Sequence, residues 1–573
     1  MTRTSRYSVI ALLSGLFALA AWASYQVVVP PRAQASMASL MPQGALLFLE
    51  GKDFSALLQE WKAAPEKQAW LKSDNYQVFS RSRLFQRLQQ VQKEFATAAG
   101  LPPDMAFLSE VAGQQSALGW YDIGKLELLY ITRMPSSRVV SSALWQKRAQ
   151  FEPRGVAGKQ FFVRTDAESG RTVAFAVDGD YFVLGTREDL VAGALSLLAN
   201  QPVATLEAET WFAEAVKTAP VPGELRMVIH LAEATKTPQF RTYWIQQNVT
   251  ALSQYESSVT DLFRSESEYR EERLLVPKNA NQAATASDED ARCVAELLRL
   301  TSSADGFYSA TATPAVETVL ATLEQKVLMP RVGPAPPAKT APTVNLGEGT
   351  VGSDSDFETR IDVAPTSGTG ETKADDKLRE MLVKANVRAL LALHRSAPAS
   401  DAVFVRLRSA IVLRGNADWD EDAVHAALEK VIAPGLTAAQ LGAGWRKAPQ
   451  GYSELDGLLP LVVATRGKYL FLGNDPTMLT DVIARISEPV SAEPAVYAAA
   501  FGHDRERQNF YRLTSLVDRP SKANGEASGR QPQFFSENIA GLSRVFAGVK
   551  SQTVVVRRKG GLEMQTVRYE WNR

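Results

Sequence analysis

The chain is poor in the residues on which small exported domains and most enzymes rely. Of 573 residues one is cysteine, Cys293, and four are histidine, His230, His394, His425 and His503. A single thiol cannot close an internal disulfide, so the fold depends on its apolar core. The sequence DEDARCVAELLRL puts Cys293 on a helix beside Val294, Leu297 and Leu298, where it reads as a small buried hydrophobe; a catalytic thiol would need a histidine that the sequence does not supply. No two histidines stand at a ligand spacing. There is no Gly-x-Ser-x-Gly elbow, Walker loop or His-Glu-x-x-His. Lys plus Arg and Asp plus Glu are both 63, and no basic stripe is interleaved with aromatics. Such a chain sets up no field to gather nucleic acid.

What is present is ample material for a core. Hydrophobic residues make up 45% and charged ones 22%, a balance that lets ordinary globular domains offset the entropy of ordering. The length argues for more than one domain. The longest uncharged run lies at the start: Arg3 and Arg6 precede YSVIALLSGLFALAAWASYQVVV, residues 7–29. As a helix it is long enough to span a hydrocarbon core, and the arginines before it predict an N-inside, C-outside orientation. Residues 1–35 are therefore read as a signal anchor, or as a signal peptide cut after Ala35 at the small-x-small sequence Ala33-Gln34-Ala35. The absence of a nearby cysteine excludes a lipid-modified lipoprotein.

A repeated phrase organises the rest. GDYFVLGT, residues 179–186, returns as GKYLFLGN, residues 467–474. The first is the return strand of a hairpin turning at Asp178-Gly179, after which Thr186 and Asp189 are expected to form a capping box for the helix REDLVAGALSLL. The second reads strand, glycine turn, strand, then Asn474 or Asp475 capping a helix that begins with Pro476. NVTALS, residues 248–253, and NIAGLS, residues 538–543, form another matched pair, each ahead of a strand-rich stretch. Duplication of one α+β unit accounts for both pairs.

The expected fold is α+β: two related lobes of mostly antiparallel sheet with packed helices, residues 36–332 and 375–573. Between them, residues 333–374 are rich in Pro, Gly, Ser and Thr and are read as a disordered linker. Leu84, Leu88, Val91 and Phe95 predict an amphipathic helix ended by Gly100, and SSRVVSSALWQKRAQ, from Ser136, predicts another. Residues 286–330, helix then strand then helix, are assigned to the first lobe. TVVVRRKGGLEMQTVRYEW predicts an edge hairpin around Gly560-Gly561, with Val567, Tyr569 and Trp571 on one face.

The candidate chemistry is thin. Gly347, Gly349 and Gly352 match G-x-G-x-x-G, but lie in the linker with no apolar helix after them, and read as chance composition. Asp418, Asp420, Asp422 and Glu429 outline a calcium loop, but Ala423 stands where the turn needs glycine. Asp418 is instead expected to cap the following helix, with Glu421 completing a capping box. His503-Asp504 could in principle form an acid/base pair, but the pair is read as a capping aspartate beside an incidental histidine. The binding candidates are two aromatic pairs, Trp120-Tyr121 and Tyr243-Trp244. Neighbours on a strand face opposite ways, which sends one of each pair into the core.

LMPQGALLFLEGKDFSALL, residues 40–58, together with GDYFVLGTREDLVAGAL resembles a group of uncharacterised bacterial envelope proteins. Their exported domain opens with a Pro-x-x-hydrophobic strand and later carries a Gly-x-Tyr hairpin. The resemblance implies a membrane-tethered α+β protein and transfers no catalytic residue. The expectation is a non-catalytic protein of the bacterial inner membrane or periplasm, acting in binding or assembly with a protein partner and without a cofactor, metal or nucleic acid. The alternative is a periplasmic protein closing on an apolar or peptide-like ligand; an envelope hydrolase is the third reading.

Overall fold

The computed structural model describes residues 36–64, 83–240, 252–279, 287–328, 376–398, 405–432, 444–455, 460–504, 506 and 548–571, with isolated positions between 65 and 82. The N-terminal segment, the linker 333–374 with its glycine motif, Tyr243-Trp244, residues 248–251 of the NVTALS phrase and all of NIAGLS, residues 538–543, lie outside them. Among the described residues no helix is long and apolar enough to cross a membrane.

Among the described residues twenty strands form one antiparallel sheet flanked by helices. The opening segment contains β1 (Leu47–Gly51), α1 (Phe54–Ala63), α2 (Arg83–Ala99), α3 (Met105–Val111), β2 (Gln115–Asp122) and β3 (Glu127–Arg133). Next come α4 (Ser136–Val140), α5 (Ala143–Gln146), β4 (Glu152–Val156), β5 (Lys159–Thr165), β6 (Thr172–Asp178), β7 (Tyr181–Gly185), α6 (Glu188–Leu198) and α7 (Thr210–Thr218). They lead into β8 (Leu225–Ile229), α8 (Leu231–Ala234), β9 (Tyr255–Arg264) and β10 (Glu268–Pro277).

The later elements are α9 (Asp288–Leu298), β11 (Phe307–Ala312), α10 (Val316–Lys326), α11 (Asp376–Ala385), β12 (Ala389–Pro398), β13 (Val405–Arg414) and α12 (Glu421–Ile432). The small strands β14 (Arg446–Lys447) and β15 (Ser453–Leu455) precede β16 (Leu461–Arg466), β17 (Tyr469–Gly473) and α13 (Pro476–Ala484). The chain closes with β18 (Tyr497–Gly502), β19 (Val549–Lys559) and β20 (Leu562–Trp571).

From one end the first ten strands run 4-5-6-7-3-2-1-8-9-10. From the other end the remaining ten run 14-15-16-17-13-12-11-18-19-20, the same connectivity with ten added to every label. The two series meet where β10 pairs with β20. GDYFVLGT and GKYLFLGN thus occupy matching places in hairpins β6–β7 and β16–β17. Gly179 and Gly467 hold φ of +56° and +54° at their turns, the left-handed region where a side chain adds strain; at Gly179 the space around the residue is otherwise open.

Residues directly opposite one another in a ladder share a face, so the registers divide the sheet into two sides. On the first, Phe48, Ala117, Val228 and Val259 pack under α6 and α7, with Phe48 edge-on to Phe212 at 5.4 Å. Further along the same side, Ala310, Leu391 and Phe471 pack under α9 and α13. On the second side, Phe175 stacks on Phe162 at 5.4 Å beneath α2 to α5, and Leu390, Ile411 and Leu472 lie beneath α10, α11 and α12.

Five local expectations are corrected. SSRVVSSALWQKRAQ is not one helix, because Ser142 accepts from Trp145 N (3.3 Å) and starts α5 anew after α4. Thr186 does not cap α6: its hydroxyl accepts from Leu128 N (2.8 Å) on the neighbouring strand, while Asp189 pairs with Arg187. Asp420, not Asp418, caps α12, because Trp419 N is bound to Gly467 O at 3.0 Å and the helix starts only beyond it. The C-terminal hairpin is central rather than at an edge, since β19 pairs with β18 and β20 with β10. Residues 287–328 belong with the later strands, because β11 lies between β12 and β18. Asp475 does cap α13, accepting from Met478 N at 2.9 Å with Pro476 next in the chain.

Next to the meeting strands, Arg226 on β8 forks onto Asp261 on β9 at 2.8 and 2.7 Å, and Gly223 N donates to the same carboxylate at 2.9 Å. Both side chains are almost fully buried, at 6% and 5% exposure. Removing one partner strands the other charge in the interior. Asp261→Ala is expected to lower unfolding free energy by about 3–5 kcal/mol, read as a lower urea midpoint at unchanged slope.

Candidate functional site

The aromatic pairs proposed from the sequence do not converge. Trp120 and Tyr121 lie on opposite sides of β2: Trp120 packs with Leu47, Ile229 and Leu275, and Tyr121 against the cluster around Phe48. The Tyr121 hydroxyl donates to Pro42 O at 2.8 Å, and burial raises its phenol well above the usual range. Both are core residues. Tyr243 and Trp244 lie outside the described residues.

The titratable residues are engaged in packing. His230 stacks on Trp211 at 4.3 Å with Nε2 3.2 Å from Glu256, and His425 stacks on Trp445 at 4.2 Å. His503 lies edge-on to Phe501 at 4.8 Å. Cys293 is buried, and burial raises its thiol. Among the described residues no group of three or more His, Cys, Asp or Glu is placed to hold a metal ion.

The strands around the meeting point differ from the rest of the sheet. Along β10 and β20 nearly every residue is half-buried, and no large apolar cluster crosses between them. On the first side these strands carry charge, with Arg270 paired to Glu272 at 2.8 Å and Arg568 to Glu268 at 3.3 Å. On the second side β11 and β18 present no charged residue, whereas Arg558 of β19 pairs with Glu563 of β20 at 2.8 Å and Arg273 with Glu271 on β10 at 2.9 Å. The registers line up His394, Phe307, Phe501, Gln552, Tyr569 and Tyr269 in one row across six strands. A parallel row two residues along contains Ser309, Ala499, Val554 and Val567, a floor of small and medium side chains.

Ring contacts bind the row together. Phe307 lies 5.6 Å from His394 and 6.5 Å from Phe501. Gln552 donates to the Tyr569 hydroxyl at 3.3 Å, and Tyr269 meets Trp571 edge-on at 6.3 Å. All these side chains are half-buried, and burial raises the phenols of Tyr269 and Tyr569. Such a face offers dispersion contacts and shape, with hydroxyl and amide groups for orientation. Its far end brings the Ser409 hydroxyl beside the His394 imidazole.

Sequence reasoning found one strand of this site, in placing Val567, Tyr569 and Trp571 on one face. Phe307, Ser309, Ala499, Phe501 and Val554 were missed, because they come from strands up to some 250 positions apart in the chain. The available signal was the uncharged period-2 pattern of GFYSATA and VYAAAFG.

At the end of the row, the His394 Nδ1 is 2.9 Å from Ser409 Oγ. Burial, with the charge of Lys326, lowers this histidine from 6.5 to about 4. As pH falls through 6.5 the unfolded chain takes up this proton first, and the folded chain follows only near 4. Its contribution is neutral above pH 6.5 and destabilising below, approaching roughly 3 kcal/mol. His394→Gln, which keeps a partner for Ser409, is expected to show a shallower loss of thermal midpoint between pH 7 and pH 4.5 than the wild type.

Comparison with family models and with curated proteins finds no match. Two solved structures of TP0453 align at 10% identity each. Crystal form III covers 43% of this chain and 82% of its own at a TM-score of 0.24, and crystal form I 44% and 81% at 0.22. Likeness at that level carries no argument about fold or activity.

Proposed function

We propose that the protein is a non-catalytic, membrane-anchored component of the bacterial envelope, with its bulk outside the cytoplasm, that works by binding a protein partner in assembly. The observation that carries this reading is the half-buried second side of β11, β18, β19 and β20, where Phe307, Phe501 and Tyr569 line up beside Ser309, Ala499, Val554 and Val567, none of them a member of the large apolar clusters. A soluble protein rarely leaves such a face without an occupant. The apolar run at residues 7–29 behind Arg3 and Arg6 supports the anchor, and the resemblance of LMPQGALLFLEG and the tyrosine hairpin to envelope proteins supports the location.

The same reading takes the molecule as two related lobes that arose by duplication. Its support is the shared connectivity of the two ten-strand series and the matched places of the two hairpins. On the pairing pattern the lobes divide between β10 and α9, so residues 333–374 fall inside the second lobe, between α10 and α11. The alternative, lobes closing on an apolar or peptide-like ligand, requires rotation about the β10–β20 ladder, and eight paired residues there resist it.

Full-length protein is expected to stay in the membrane fraction after a carbonate wash and to be digested by protease added to spheroplasts. A version lacking residues 1–35 should be recovered in the cytosol. Recovery of the intact chain from the cytosol would refute the anchored, exported reading.

A further inference from the structure

The seam between β10 and β20 has the symmetry of a dimer interface. Val183 and Phe471 hold the same place in the two tyrosine hairpins. From Val183, partner to partner across β3, β2, β1, β8 and β9, the registers lead to Glu272 on β10. The same path from Phe471, across β13, β12, β11, β18 and β19, leads to Thr566 on β20. Glu272 and Thr566 are therefore counterparts, and they stand directly opposite one another in the seam. Antiparallel strands whose counterparts meet in this way are related by a two-fold axis through that pair. The contact is isologous: each strand offers the other the same stretch of itself.

β10 carries the charges of a strand that fits its own copy. With a second β10 in the place of β20 at the same register, Glu271 of each copy would face Arg273 of the other, and Glu272 alone would meet itself on the axis. Opposite charges set directly across a ladder stabilise it. In the seam Glu271 and Arg273 face no such charge: Val567 and Gln565 stand opposite them, and the two pair with each other along β10 at 2.9 Å. Thr566 opposite Glu272 removes the like-charge contact on the axis. Among the described residues no large apolar cluster crosses the seam, which leaves register and these charges to decide what β10 pairs with.

Resting on the duplication reading above, we propose that the seam is a homodimer interface carried within one chain, and that β10 retains the capacity to pair with β10 of a second copy. In the intact chain β20 holds the place because it belongs to the same chain, at an effective concentration that a separate copy does not match.

The test uses the full chain purified in detergent, in which buried Cys293 is the sole native thiol. Glu272→Cys with Thr566→Cys reads the closed seam as a crosslink within one chain on oxidation. Gln565→Arg with Val567→Glu sets like charges against Arg273 and Glu271, and is expected to abolish that crosslink. In the charge-reversed chain, Glu272→Cys alone should then link two copies, because position 272 meets itself on the axis. Glu268→Cys should not, since it would lie about 27 Å from its counterpart, against a Cα limit of ~7 Å for a disulfide. Without the charge reversal, Glu272→Cys should give at least about tenfold less covalent dimer. A seam that stays closed under the charge reversal, no link between copies at position 272, or equal yields at 268 and 272 overturns the proposal. Should the charge-reversed chain fail to melt cooperatively, Gln565→Glu with Val567→Arg takes its place, giving β20 the charges that β10 has at the counterpart positions. The thermal midpoint should then rise at low salt and fall back at about 1 M, and the lack of a salt-sensitive gain overturns the proposal as well. None of these results bears on the duplication, which rests on strand connectivity, or on location, which the fractionation reads.

Discussion

Eight residue pairs between β10 and β20, from Glu268 opposite Glu570 to Leu275 opposite Glu563, turn two ten-stranded sheets into one. Both are ten-residue strands, and left unpaired each would present a long row of free N–H and C=O groups, the usual template for aggregation. Pairing them in antiparallel sense satisfies both edges at once. It also fixes which surfaces adjoin: the axis relating the two strands stands perpendicular to the sheet, so the side under α6 and α7 continues into the side under α9 and α13. The outer limits of the sheet are managed differently. β4 is exposed and carries Pro153 and Gly155, and β14 has only two residues, both poor surfaces for further pairing.

The seam explains the unusual centre. A sheet reaches a dry core where helices cover it, and the helices here arise from connections within each ten-strand series, which leave the meeting strands at the margin of both. The ladder therefore holds by backbone bonds, cross-strand ion pairs such as Arg568–Glu268, and ring contacts such as Tyr269–Trp571, rather than by a shared apolar cluster. On the charged side, Glu268, Arg270, Glu272 and Arg568 are compatible with water. On the other side the same strands place half-buried Tyr269, Val567 and Tyr569 beside the ion pairs Arg273–Glu271 and Arg558–Glu563. Structure and binding reading thus have one origin.

Much of the architecture was legible locally. The hairpins at Gly179 and Gly467 follow from glycine next to alternating apolar runs, and Asp475 with Pro476 marks a helix start. The helix over Arg83–Ala99 follows its apolar spacing, although Leu88 remains 40% exposed. Where local reading failed, a distant group competed for the same atom. Thr186 could cap a helix, but Leu128 N on the adjacent strand takes its hydroxyl, and Trp419 is drawn to the Gly467 carbonyl, which moves the cap of α12 to Asp420. The assignment of residues 287–328 failed for the same reason at larger scale: chain proximity favoured the preceding strands, whereas β11 had partners waiting on both sides in β12 and β18.

The sequence by itself determined the elements, the repeat and the lack of a recognisable catalytic set, because turns, caps and periodicity act over a few residues and a missing motif is read directly. Tertiary structure decided the joining of the two series and the composition of the candidate face. His394, Phe307, Phe501, Gln552, Tyr569 and Tyr269 come from six strands spread over some 300 positions, and only register makes them neighbours. Register is set by the competition of whole strands for partners, and that competition is resolved only when every edge in the sheet has been satisfied.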